Sequence, residues 1–147
     1  MNINVLCIGK LKEDYWKEAT KEYSKRLSRY CSLSITELKE GASPEKEGED
    51  ILRRLKDEDF VIALEIKGER LSSQGLAKYI EKLGIEGNSK VVIIIGGSDG
   101  ISQEVLERAN FQVSFSELTF PHQMIRIFLL EQLYRSFKII KGETYHK

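Results

Sequence analysis

The chain has 147 residues, and its 23 Lys and Arg cancel its 23 Asp and Glu. That length makes one domain of ordinary size, able to bury enough surface to fold without a metal or disulfide, and 41% hydrophobic with 31% charged residues describes a globular chain. Zero net charge removes the simple case for a basic chain drawn to nucleic acid, Met1–Asn4 opens no signal peptide, no apolar run nears the roughly 18 residues of a membrane helix, and Cys7 and Cys31 build no disulfide framework; the cytoplasm is the expected compartment.

In chain order, Ile3–Ile8 reads as a buried strand closed by Gly9. Tyr15–Tyr30 reads as a helix, with Trp16, Ala19, Tyr23, Leu27 and Tyr30 at spacings of three and four. Ser32–Lys39 alternates as a strand, with Leu33, Ile35 and Glu37 on one parity. Gly41–Gly48 reads as a mobile polar loop, and Glu49–Lys56 as a short amphipathic helix. Phe60–Ile66 is the next strand, ended by Lys67-Gly68. Ser72 or Ser73 caps a helix running through Leu83. Val91–Ile95 is β-branched and apolar on both faces, as a central parallel strand covered by helices requires. Ser102 caps a helix through Ala109, and Phe111–Ser116 alternates as a strand. Pro121 starts a long helix to about Lys141, in keeping with proline's place in the first turn, and Gly142 ends it.

Strands alternating with helices predict a three-layer α/β domain, with a mostly parallel sheet and helices on both faces. No linker or repeat divides residues 1–147. The last helix is apolar on more than one side, from Met124 and Ile125 through Leu129, Leu133 and Phe137 to Ile140. So wide a surface needs two packing partners: the sheet, and a second subunit as a candidate for the other.

Three segments concentrate groups capable of chemistry. Ile95-Gly96-Gly97-Ser98-Asp99-Gly100 follows a buried strand and precedes a helix, where open α/β sheets bind ligands. It is equally readable as an ordinary strand-to-helix turn, and it matches neither the dinucleotide fingerprint nor a P-loop. Phe115–Gln123 bunches polar groups at a second strand-to-helix turn, where Thr119 could serve only as a cap and His122 only as a first-turn residue. Gly142–Lys147 places an aromatic, an imidazole and a cation in a row, a combination suited to stacking on a nucleotide, although tails commonly fray. His122 and His146 have no metal-ligand spacing with either cysteine, so no metal is expected, and no G-x-S-x-G elbow supports a serine hydrolase.

Taken together, Gly9-Lys10-Leu11-Lys12 with Tyr15-Trp16, Leu64-Glu65-Ile66-Lys67-Gly68, the glycine turn at 96–100, Leu118–Gln123 and Glu143–Lys147 make the chain resemble, end to end, the ribosomal RNA large subunit methyltransferase H family of the SPOUT superfamily. The segment at Gly41–Gly48 looks shorter than in many relatives, where a surface loop tolerates it. The resemblance implies an S-adenosylmethionine-dependent enzyme that methylates N3 of a pseudouridine in the helix 69 loop of 23S rRNA within the assembled ribosome. It also implies a homodimer and a deep C-terminal trefoil knot, which strand and helix periodicity alone does not suggest. Carried over by position, the donor pocket is Leu64, Gly96, Phe115, Ser116, Glu117, Leu118, Thr119 and Phe120, with the glycine at 96 leaving room for the donor. His122, Tyr145 and His146 are candidates for handling the N3 proton, and Arg126 and Arg135 for stabilising a developing anion. The rival from another class is a non-catalytic ribosome-associated RNA-binding protein on the same fold.

The balanced charge is itself a composite. Residues 1–30 carry a net +3, residues 121–147 another +3, and residues 31–120 carry −6. Lys10, Lys12, Arg126 and Arg135 are the expected phosphate-facing cations of the two basic ends.

Overall fold

The structure, a computed structural model, describes all 147 residues. Five strands, β1 (Asn2–Ile8), β2 (Ser32–Leu38), β3 (Phe60–Arg70), β4 (Lys90–Ile95) and β5 (Phe111–Ser114), alternate with five helices. These are α1 (Asp14–Leu27), α2 (Pro44–Arg54), α3 (Ser73–Ile85), α4 (Gln103–Arg108) and α5 (His122–Ile140). The strands form one sheet in the order β2-β1-β4-β3-β5, and every pairing is parallel. The expected three-layer α/β architecture is the one observed.

Successive strand residues point to opposite faces, and β1 shows both. Ile3, Val5 and Cys7 join the main core with residues of α1, α3 and α5. Leu6 and Ile8 join a smaller core with Ile51 of α2 and Val105 of α4. Strand β4 is central, and Val91–Ile95 is buried throughout, because helices cover both of its faces. Helix α5 packs against both α1 and α3. It buries Leu129, Leu130, Leu133 and Phe137, while Phe128 remains 38% exposed. The wide apolar surface of α5 is thus only partly covered within one chain.

Two expectations change. Residues 44–48 belong to α2 rather than to a mobile loop. The Ser43 side chain accepts the Lys46 N–H at 3.2 Å, Pro44 occupies the first turn, and Glu45 and Glu47 sit at the positive end of the helix dipole. Strand β3 does not end at Lys67-Gly68. Leu64 and Glu69 both pair with Val113 of β5, so residues 65–68 loop out and the strand resumes its ladder. Gly68 makes this possible, since a Cβ there would lie 2.8 Å from the Gln112 backbone. The remaining helix and strand boundaries differ from expectation by a few residues at most.

Candidate active site

Strands β3, β4 and β5 end side by side, and their carboxyl ends open into one cleft of about 720 Å³. Three segments build it. The first is the looped-out lip after Leu64, which contributes Glu65 and Ile66. The second is the turn Gly96–Gly100, closed by a Gly100 N–H donating to the Gly97 carbonyl at 3.1 Å. The third is Phe115–Pro121, folded by its own serines: the Ser114 hydroxyl donates to the Ser116 carbonyl at 3.1 Å, and the Ser116 hydroxyl accepts from the Leu118 N–H at 3.0 Å.

Of the eight expected pocket residues, Leu64, Gly96, Phe115, Ser116, Leu118, Thr119 and Phe120 line this cleft. Glu117 does not; its carboxylate turns away to pair with Arg70. Thr119 caps nothing, because Pro121 stands at the helix start without a side-chain cap. Leu118 is 69% exposed, an apolar wall with no protein cover. Phe120 is fixed edge-to-face against Phe128, with centroids 5.4 Å apart.

The role of Gly96 differs from the one expected. A Cβ there would meet Ile101 Cγ1 at 2.7 Å and the Gly100 carbonyl oxygen at 2.8 Å. The missing side chain therefore lets the turn close on itself, and the cleft gains its shape indirectly. Glu65, Asp99 and Ile125 also line the cleft; the first two fall in segments singled out in the sequence, but none of the three is given a role of its own there. Their signal was available: Glu65 follows Leu64 directly, and Asp99 lies within the glycine turn.

His122 opens α5 at the edge of the cleft. Its Nε2 would lie 3.8 Å from a methyl group placed on Gly9, so the β1–α1 loop is its neighbour. That loop buries Leu11 and exposes Lys10 and Lys12 on either side. Arg126, one turn further along α5, is buried. It donates to Glu37 at 2.5 Å and to the Gly9 carbonyl at 3.1 Å. Buried and neutralised, it is not disposed to face an RNA phosphate or a developing anion as expected; it fastens α5 to the ends of β1 and β2.

The other candidates gather at the far end of α5. Arg135 donates to Glu131 at 2.5 Å and contacts His146 Nδ1 at 3.0 Å. The guanidinium carbon lies 4.7 Å from the Tyr145 ring centroid. Tyr145 also packs edge-to-face on Tyr134 at 4.9 Å, and its hydroxyl donates to Glu131 at 3.4 Å. The tail is docked rather than frayed. Burial, then the Glu131 carboxylate, raises the Tyr145 phenol above its ordinary range, so it is protonated at neutral pH. The Glu131 hydrogen bond holds Arg135 more firmly cationic. Thirteen residues separate His122 from Arg135, about 20 Å of helix, so one chain's tail cluster stands away from its own cleft. Burial pushes both cysteine thiols to about 11, which leaves neither as a nucleophile.

A family profile described as "Predicted SPOUT methyltransferase" matches residues 1–146. The chain belongs to the SPOUT methyltransferase family. Proteins named Ribosomal RNA large subunit methyltransferase H from Clostridium beijerinckii and Clostridium novyi are each 51% identical, and one from Clostridium kluyveri is 49% identical; every alignment covers 100% of both chains. Those alignments span 159 positions against the 147 residues of this SPOUT chain, so the relatives carry residues it lacks. A solved structure of a probable methylase family protein from Haemophilus influenzae superimposes with a TM-score of 0.61 at 12% identity, covering 99% of this chain and 70% of the other. That likeness concerns the fold. No helix is long and apolar enough to cross a membrane.

Proposed function

We propose that this chain, as one SPOUT domain, is a 23S rRNA methyltransferase that transfers a methyl group from S-adenosylmethionine to N3 of a pseudouridine in the helix 69 loop of the assembled ribosome. The observation carrying this reading is the cleft at the carboxyl ends of β3, β4 and β5, lined by seven of the eight family donor-pocket positions. The full-length match to proteins named for ribosomal RNA methylation supports it. The cytoplasm, where ribosomes reside, is the compartment, and the trefoil knot of the family is the proposed threading of the last third.

The cleft fits the donor. Its volume of about 720 Å³ lies within the range of small-molecule sites. Leu64, Leu118 and Phe120 offer apolar walls to an adenine, and the backbone groups of the turns offer donors and acceptors to its edges. When bound, S-adenosylmethionine supplies an electrophilic methyl group on a sulfonium, so no metal is required. The acceptor N3 gains the methyl carbon as the C–S bonding pair returns to sulfur, and its proton passes to the His122 imidazole at the cleft edge and on to solvent. The chain's own task is mainly to hold the two partners in line. His122 stands at the cleft edge, near the exposed Lys10 and Lys12, which suit the acceptor's phosphates.

Arg135, Tyr145 and His146 act across a homodimer, each tail serving the partner's cleft. The distance along α5 and the uncovered apolar surface around Phe128 support this assignment. The Arg135 contact at His146 Nδ1, 3.0 Å, fixes where the imidazole sits. Glu131 receives the Tyr145 hydroxyl and two Arg135 nitrogens, so the tail offers the pseudouridine an aromatic and guanidinium surface held in place rather than a free proton donor. Arg126 holds α5 in place for this work without touching the reactants.

The decisive experiment is transfer of labelled methyl to ribosomes lacking the modification, followed by mapping of the methylated base. Label at N3 of a helix 69 pseudouridine is expected. Binding of ribosomes without donor binding or transfer would instead favour a non-catalytic RNA-binding protein.

A further inference from the structure

Two carboxylates line the cleft, Glu65 on the β3 lip and Asp99 in the glycine turn, and no lysine or arginine does. Neither carboxylate takes part in any ion pair of the chain (a set that includes Glu117, which neutralises Arg70 beside the cleft). Neither accepts a side-chain hydrogen bond, whereas nearby Glu47 accepts the Gly41 N–H at 3.1 Å. Glu47 extends the same sign: its carboxylate oxygens would lie 3.4 Å from a Cβ on Gly97. The cleft therefore presents a negative field to its contents, inside a protein whose total charge is zero.

The chemistry of methyl donation makes that sign consequential. The donor carries a carboxylate, an ammonium and a sulfonium, for a net charge of +1. After transfer the sulfonium has become a thioether, so the product S-adenosylhomocysteine is neutral. The remaining atoms of donor and product are alike, so apolar walls and backbone hydrogen bonds serve both nearly equally. A term that separates them must sense the lost charge, and unpaired carboxylates in a concave, partly apolar site do so more strongly than they would in open water.

We infer that Glu65 and Asp99 are charge-selectivity residues of the donor cleft, favouring the cationic donor over the neutral product and so promoting product exchange after each transfer. Glu65 is half-buried and Asp99 exposed, so Glu65 carries the larger share. The inference rests on the donor-cleft reading above and goes beyond it by assigning a basis for turnover.

Calorimetric titration of the purified protein with S-adenosylmethionine, with S-adenosylhomocysteine and with sinefungin, whose ammonium replaces the sulfonium, tests this without any activity assay. For Glu65→Gln, affinity for the two cationic ligands is expected to fall roughly three- to tenfold, with a smaller drop for Asp99→Asn. Affinity for S-adenosylhomocysteine is expected to stay level or rise. The preference for cationic ligand should also shrink in the wild type as salt is raised. An equal loss for all three ligands, or an unmoved preference, overturns the inference while leaving the donor cleft standing. Wild-type protein that binds none of the three overturns both. Matching thermal melting of variants and wild type separates these outcomes from misfolding.

Discussion

Arg126 and Glu37, 89 residues apart, meet at 2.5 Å, and between them they fix the loop that leaves β1. Glu37 also accepts the Leu11 N–H at 3.0 Å, and Arg126 donates to the Gly9 carbonyl. The Arg126 Nε–H is buried with no acceptor, so the pair is held at some cost. Removing Arg126 leaves behind a Glu37 carboxylate that is 33% exposed and so partly solvated, along with the Gly9 carbonyl. Arg126→Met should cost about 1–3 kcal/mol, read as a melting temperature lower by roughly 2–12 °C for a domain of this size. Ribosome methylation should fall through misplacement of Lys10, Lys12 and His122, with donor affinity much less affected.

The separation of cleft and tail along α5 leads to a subunit-mixing experiment. Chains lacking Tyr145–Lys147 should bind donor but methylate poorly. Chains with a ruined donor cleft should also be inactive alone. A mixture of the two should recover activity, because one mixed dimer site in two would be complete. No recovery from verified mixed dimers would assign each tail to its own chain.

Gly96→Ala should weaken both folding and donor binding, because its Cβ would press on the Gly100 carbonyl and Ile101. A loss of about 1–3 kcal/mol is expected, typical of overpacking. Chemical denaturation alongside calorimetry checks it. Intact stability with lost binding would restore a direct role for this glycine in making room for the donor.

Tail docking should depend on pH. Glu143 accepts from Lys138 at 3.1 Å and from the Tyr30 hydroxyl at 3.1 Å. The Lys138 bond first, and then the Tyr30 bond, lower its carboxyl below the ordinary 4.5. Protons therefore bind the undocked tail more readily than the docked one. The stabilisation is complete above pH 4.5 and is lost as pH falls through the lowered value. NMR relaxation of residues 144–147 should report rising mobility in that window, and Glu143→Gln should show the mobility already at neutral pH.

Much of this was legible in the chain. The alternation of strands and helices followed from local periodicity, and β4 announced its central place through five consecutive apolar residues. Ser43-Pro44 was a readable helix start, obscured by the density of charge that follows it. The lip at residues 65–68 was not legible, because its cause is a backbone approach between Gly68 and Gln112 that no local pattern encodes. The same holds at the site. Leu64, Gly96 and the 115–120 segment were placed by family resemblance, and the sheet order then brought them together. Glu117 resembled its neighbours in sequence, yet Arg70, 47 residues away, draws it off. Arg126 showed only a cation in an apolar helix. The parity of Glu37 with Leu33 and Ile35 directed it toward the helical layer, but its partner could be known only from the packing of α5.

Helix α5 begins at one chemical centre and ends at another. If each centre needs the head of one copy and the tail of another, then no isolated chain holds a working set of groups. Catalytic output would then follow the number of assembled pairs. Dilution below the pairing constant should make initial rates rise with the square of protein concentration, with a lag on mixing that reports how quickly copies meet. A single rigid rod would thereby make rRNA modification a readout of how much of this protein has accumulated.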